Sequence, residues 1–200
     1  CLNRYYDYIS DLGTSEFVIS LDNDDQKMNT PEVKQFLSYK ENLSYYYKDN
    51  TSKIMAINAD VPTTDWDILV LISDDMIPEI EGFDQIIRSK MKEHYPDTDG
   101  VLWFFDGWRK DLNTLCILGR KYYDRFGYIY HPSYESFWCD AEFTEVGNIL
   151  NRQVFIDQVI IRHLHPDIVM ADKDTRIKFA NFLPEYADVG SYGHDELWQK

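Results

Sequence analysis

Two rhythms of apolar residues run along this chain. Short unbroken apolar runs alternate with stretches in which apolar side chains recur every three or four positions, the marks of buried strands and one-sided helices respectively. Leu2, Tyr5, Ile9 and Leu12 have helical spacing, and Gly13 is placed to stop that helix. Phe17–Leu21 reads as a strand running into Asp22-Asn-Asp-Asp25. Pro31 opens a helix to about Tyr39, since proline suits the first helical position. Ser44–Tyr47 reads as a strand, Lys53–Ala59 as a short helix, and Ile68–Ile72 as a strand apolar enough to be buried on both faces. Phe83–His94 is amphipathic. Val101–Phe105 and Leu115–Leu118 read as strands, Lys121–Phe126 as a short helix closed by Gly127, Asp140–Leu150 as a helix and Val154–Ile161 as a strand. A further helix is expected from Asp188. Strands alternating with helices predict an α/β domain, layered around a mostly parallel, mixed central sheet.

Length and composition narrow this picture. The 200 residues suit a single domain with a substantial core, and 15 Tyr, 11 Phe and 5 Trp favour a packed interior over disorder. A formal charge of −15 argues against non-specific nucleic-acid binding, which needs clustered Lys and Arg. It leaves room for a small phosphorylated substrate if a metal ion supplies positive charge. Cys1, Cys116 and Cys139 form neither a disulfide framework nor a C-x-x-C pair. Cys116, within Leu115–Leu118, is expected in the core, and a reducing, cytoplasmic setting is the simplest expectation. No apolar run reaches membrane-spanning length. Because the chain opens on Cys rather than Met, residues are expected to have preceded it.

The candidate chemistry lies where strands end. Ile68–Ile72 runs straight into Ser73-Asp74-Asp75. Adjacent carboxylates at the end of a buried strand are costly unless a positive charge meets them, and open α/β sheets bind ligands at the carboxyl ends of their strands. A divalent cation carrying a phosphorylated substrate fits, because hard cations take oxygen ligands. Phe17–Leu21 ends in the same way on Asp22-Asn-Asp-Asp25. If both strands are parallel members of one sheet, their carboxylates converge on one edge; otherwise the second segment is a solvated turn.

Phe17–Asp22 with its following Asn-Asp-Asp, Lys53-Ile-Met-Ala-Ile-Asn58, and Ile68–Pro78 together resemble the nucleotide-binding half of GT-A-fold glycosyltransferases of the family 2 type. Those enzymes show an apolar strand ending in Asp, a Gly-Lys-x-x-Ala-x-Asn helix start, and an apolar strand ending in Asp-x-Asp. Here Ser52-Lys53 replaces Gly-Lys, and Ser73-Asp74-Asp75 stands in the place of Asp-x-Asp. The resemblance implies a Rossmann-like, three-layer GT-A domain. In it, residues 1–78 form the nucleotide-binding half, 79–166 the acceptor half and 167–200 a C-terminal extension. It also implies Asp22, Asp24, Lys53, Asn58 and Asp74 as nucleotide-binding residues, and Asp75 as a ligand for Mn²⁺ or Mg²⁺. A first strand with a Pro-Thr-type nucleotide loop is expected ahead of Leu2, and a chain lacking it should bind nucleotide poorly.

Downstream, Phe137-Trp-Cys-Asp-Ala-Glu142 resembles the acidic segment that supplies the base in inverting members, with Asp140 the first choice and Glu142 the second. On residues alone, Asp140 reads first as a helix N-cap, and only the resemblance puts the base ahead. Ile161-Arg-His-Leu-His-Pro166 resembles the segment whose histidine returns to the metal, through either His163 or His165. Trp108 and Trp138 are candidate acceptor-binding faces. The implied activity is metal-dependent transfer of a sugar, UDP-linked, from a nucleotide-diphosphate donor to a hydroxyl acceptor, with inversion. Two alternatives stay open: a nucleotidyltransferase on a similar sheet, which calls for a Gly-rich basic phosphate loop, and a non-catalytic binding domain.

Overall fold

The structure is a computed structural model, and it describes residues 1–62 and 65–164. The molecule is a mixed α/β fold without a barrel. Its centre is a four-stranded sheet in the order β3-β6-β5-β7, where β3 is Ile68–Val70, β5 Val101–Phe104, β6 Ile117–Gly119 and β7 Gln153–Ile156. β5 and β6 are buried at every position, as their unbroken apolar sequences require. The parallel pairings are the longest: β5 with β7, and β1 (Phe17–Asp22) with β2 (Leu43–Lys48) in a separate two-stranded sheet. β6 runs antiparallel to both β3 and β5. A third small sheet pairs β4 (Met76–Pro78) antiparallel with β8 (Ile161–His163).

Side chains alternate across a strand with a period of two, and that alternation builds two cores. Leu102, Phe104 and Ile117 face one core with Ile68 and Val70, where they meet Phe83, Ile87 and Met91 of α4 (Phe83–His94) and Tyr5 of α1 (Leu2–Tyr8). Val101, Leu118 and Leu69 face the other, with Ile54 of α3 (Lys53–Ala59), Tyr122 of α5 (Arg120–Tyr123) and Phe143 of α6 (Cys139–Ile149). Helices therefore cover both faces of the central sheet. α2 (Pro31–Ser38) makes the crossover from β1 to β2; Pro31 occupies its first turn and the Thr30 hydroxyl accepts from the Val33 N–H as N-cap. Cys116 is buried, as expected, and so is Trp103, which packs edge-on against Phe155.

Several boundaries differ from expectation for tertiary reasons. The first helix stops at Tyr8 rather than at Gly13, and Leu12–Thr14 forms a separate 3₁₀ turn. The cause is Asp84, buried in the first turn of α4, whose carboxylate accepts from the Ser10 and Asp11 N–H groups and the Ser10 hydroxyl. Those backbone donors are thereby taken out of the helix. The strand expected over Ile68–Ile72 is shorter, and its residues are half-buried, because β3 is an edge of its sheet. The stretch expected as one strand over Val154–Ile161 is two: β7 follows β5, and after a turn β8 crosses to β4. β4 itself was not foreseen. It is three residues long and ends on a proline, which can stand at a sheet edge because it needs to donate nothing there. The helix expected from Asp188 and the segment 167–200 lie outside the described residues.

Candidate functional site

β1 and β3, the two strands expected to end together in carboxylates, belong to different hydrogen-bonded sheets among the described residues. The convergence expected of a single ladder is therefore corrected: the two strands share no ladder, and each acidic strand end has its own neighbours. Asp75 anchors the first group. It sits between β3 and β4, and its backbone carbonyl accepts from Leu164 N–H at 2.8 Å. The β4–β8 register places Met76 opposite His163. As a result His163, 88 residues away in sequence, brings Nε2 to 3.2 Å from Asp75 Oδ2. The Ser73 hydroxyl donates to Asp75 Oδ1. Burial pushes the Asp75 carboxyl up, but the His163 contact, its charge and the Ser73 hydroxyl together outweigh burial and hold it below the usual carboxylate range.

Behind the imidazole lies Asp106, a residue the sequence reading did not single out. The residue is 1 % exposed. Oδ1 accepts from the Trp108 and Arg109 N–H groups at 2.7 and 2.8 Å, and Oδ2 from the Thr114 hydroxyl at 2.7 Å. His163 Nδ1 lies 3.9 Å from Asp106 Oδ2, while the Asp106 carbonyl accepts from the His163 N–H at 3.0 Å. Asp106 is the third apolar strand end in this chain to finish on a carboxylate, after Val101–Phe105. The rule that found Asp22 and Asp75 would have found it too. Gly107 follows with φ +92°, and a β-carbon there would lie 2.2 Å from an Arg162 guanidinium nitrogen. Only glycine lets the loop turn this tightly beneath β8.

The Asp75–His163 spacing can be set against metal geometry. Two cis ligands of an octahedral cation at ordinary bond lengths stand about 3 Å apart, close to the observed Asp75–His163 separation. A carboxylate behind a histidine ligand is also the usual way such a ring is oriented. No group of three or more His, Cys, Asp or Glu side chains suited to a metal occurs among the described residues. His165, the other expected histidine ligand, lies outside them. Asp74 is exposed beside Asp75.

Asp140 lies in the first turn of α6, not at its N-cap, which is Trp138. Its Oδ1 accepts from the Ala141 N–H at 2.9 Å, and the Thr144 hydroxyl donates to its carbonyl. Arg109, on the loop that Asp106 grips, forms a two-pronged ion pair with Asp111 and also feels the Asp140 charge. Lys53, at the start of α3, acts electrostatically on Cys139 next to Asp140. Contacts thus link Asp75, His163, Asp106 and the 106–111 loop, and Arg109 on that loop is within electrostatic reach of Asp140. Glu142, half-buried one residue beyond Ala141, raises the Tyr128 phenol after burial has done most of that work.

The remaining expected residues divide. Asp22 ends β1 and accepts from the Asn50 amide at 2.8 Å, so its carboxylate is positioned at the carboxyl end of the β1–β2 sheet. Asp24 is exposed in the turn after β1. Asn58 clamps the chain at residues 129 and 130. Its amide donates to the Tyr130 carbonyl at 2.7 Å, and its Oδ1 accepts from the Ile129 and Tyr130 N–H groups. Trp108 and Trp138 are both exposed. A cavity of about 460 Å³, lined by Asp65, Trp66, Asp67, Arg120 and Asp124, lies at the opposite end of β3 from Asp75 and takes no part in this arrangement.

No protein-family model, no curated protein and no solved structure matches this chain. Among the described residues no helix is long and apolar enough to cross a membrane.

Proposed function

We propose that this chain is a GT-A-type glycosyltransferase domain that takes a nucleotide-diphosphate sugar, UDP-linked, with a divalent cation, and inverts configuration with Asp140 as base. One observation carries the reading: Asp75 and His163, remote in sequence, meet at 3.2 Å beside a strand end and are backed by the buried Asp106. Asp75 and His163 would hold Mn²⁺ or Mg²⁺, which when bound stabilises charge on the leaving diphosphate. Asp22 serves as an acceptor for the base imide or a ribose hydroxyl, and Lys53 places a cation near the donor phosphates. Asp74, exposed beside the ligand, is suited to the ribose.

The chemical step assigns the proton to Asp140. Among the described residues only its Oδ1 is engaged, leaving Oδ2 as an acceptor. As the acceptor oxygen bonds to the anomeric carbon, the bond from that carbon to the diphosphate oxygen breaks. The diphosphate leaves with the electron pair, and the hydroxyl proton passes to Asp140. A positioned carboxylate contributes about 10²–10⁴-fold to such a step. Ser73 favours a second reading, a binding domain without turnover, because its hydroxyl occupies one oxygen of Asp75 where a second carboxylate would otherwise chelate.

Thermal unfolding in the presence of Mn²⁺ and UDP tests the reading. The melting temperature of the full-length wild type, with the strand expected ahead of Leu2, is expected to rise with both ligands together, and Asp75→Ala and His163→Ala should each abolish the rise. Absence of any shift with Mn²⁺ and every nucleoside diphosphate overturns the proposal. Sugar-nucleotide hydrolysis lost in Asp140→Asn but with the Mn²⁺ and UDP shift retained separates an enzyme from a binding domain.

A further inference from the structure

The start of α6 displays aromatic rings where a protein would ordinarily bury them. Trp138 is 74 % exposed, Phe137 60 % and Trp108 40 %. Clustered exposed apolar surface generally marks a binding face. Trp138 moreover adopts φ +70°, the left-handed region that residues with a β-carbon disfavour. Trp138 is the N-cap of the helix whose first turn carries Asp140 and Glu142. Trp108 belongs to the loop that Asp106 fixes by hydrogen bonds to Trp108 and Arg109, and Arg109 feels the Asp140 charge. The exposed Trp138 and the Asp140 and Glu142 carboxylates therefore stand at the same end of α6, with the Trp108 loop within electrostatic reach through Arg109.

We propose that this surface is the acceptor site and that the acceptor is a neutral carbohydrate. The inference rests on the transferase reading above and names its second substrate. Pyranose rings have one face of C–H groups, which stacks on an indole, and a rim of hydroxyls, which donate to carboxylates. An exposed indole at the N-cap with Asp140 and Glu142 in the turn that follows offers both partners at once. An anionic glycan or an anionic membrane surface meets repulsion from the same carboxylates, in a chain that already carries a charge of −15. An acyl chain would have to bury those carboxylates without compensation. A hydroxyl placed beside Asp140 by the stacked ring is also the nucleophile that the transfer needs.

The test uses the full chain without metal or nucleotide, with cellohexaose, chitohexaose and maltohexaose as neutral probes. Heparin, an oligolysine peptide and phosphatidylserine vesicles are the charged comparators. Binding is read by tryptophan fluorescence and calorimetry. At least one neutral hexasaccharide is expected to bind, with affinity at least tenfold weaker in Trp138→Gly. Glycine accepts the backbone angle at 138 without penalty, so that variant should melt no lower than wild type, and loss of binding then reports the ring alone. Trp108→Ala is expected to weaken the same probe. The proposal is overturned if no neutral probe binds, if Trp138→Gly binds as tightly as wild type, or if only a charged comparator binds. Glycan binding without the Mn²⁺ and UDP shift would retain this surface as a carbohydrate site and sink the transferase reading; the converse result would sink this proposal alone.

Discussion

Replacing Asp106 by asparagine removes one charge and almost no volume from the best-buried acid near the candidate site. In the native loop, Asp106 Oδ1 holds the Trp108 and Arg109 N–H groups at 2.7 and 2.8 Å, and Oδ2 holds the Thr114 hydroxyl. Asparagine keeps a carbonyl oxygen for the two N–H groups, and the threonine hydroxyl can rotate to accept from the new amide. What disappears is the charge assistance. Hydrogen bonds to a charged group contribute about 1.5–3 kcal/mol and neutral ones about 0.5–1.5 kcal/mol. Two bonds weakened by about 1 kcal/mol each predict a loss of about 2 kcal/mol. For a protein of this size that lowers the melting temperature by roughly 4–8 °C. Asp106→Ala, which leaves the loop donors without an acceptor, should be worse, at about 3–5 kcal/mol. Urea unfolding followed by tryptophan fluorescence gives the free energies, and a parallel Mn²⁺ titration reads the site. Because the carboxylate also stands behind His163, folded Asp106→Asn is expected to bind Mn²⁺ about 10–100-fold more weakly. A variant that melts within about 1 °C of wild type and binds Mn²⁺ equally well would refute the role assigned to Asp106.

Asp84 predicts a pH dependence. Burial pushes its carboxyl up, but hydrogen bonds from the Ser10 backbone and hydroxyl, Asp11 and Gln85 outweigh burial and hold it below the usual range. A lowered folded value means that the stabilisation is complete above the unfolded value of about 3.9 and is lost as pH falls from there through the folded value. Asp84→Asn should therefore cost about 1.5–3 kcal/mol at pH 7, with the gap to wild type closing below about pH 4; a gap independent of pH between 2 and 7 would contradict the assignment. Asn58→Ala leaves the Ile129 and Tyr130 N–H groups without their side-chain acceptor, at a cost of about 2–3 kcal/mol in urea unfolding. UDP affinity per folded molecule should not change, and the opposite pattern, full stability with lost affinity, would identify Asn58 as a nucleotide ligand.

Periodicity along the chain was sufficient to determine the α/β class, because apolar alternation within strands and apolar stripes along helices are local consequences of which face is buried. Val101–Phe104 is apolar throughout and is the buried centre of the sheet. Phe83, Ile87 and Met91 recur at helical spacing and all face one core. Where a side chain from a distant element intervenes, local pattern misleads. Asp84 ends the first helix early, and β8 leaves the line of β7 because its partner is β4. Asp22, Asp75 and Asp140 were legible as acidic residues at the ends of apolar strands or the starts of helices. Their company was not. Only the β4–β8 register brings His163 to Asp75, only the fold of the 106–111 loop makes Asp106 a buried support, and only tertiary contact turns Asn58 into a clamp for Ile129 and Tyr130. Sequence spacing records which face a residue occupies within its own element; contacts between residues 88 or 71 positions apart depend on how those elements pack together.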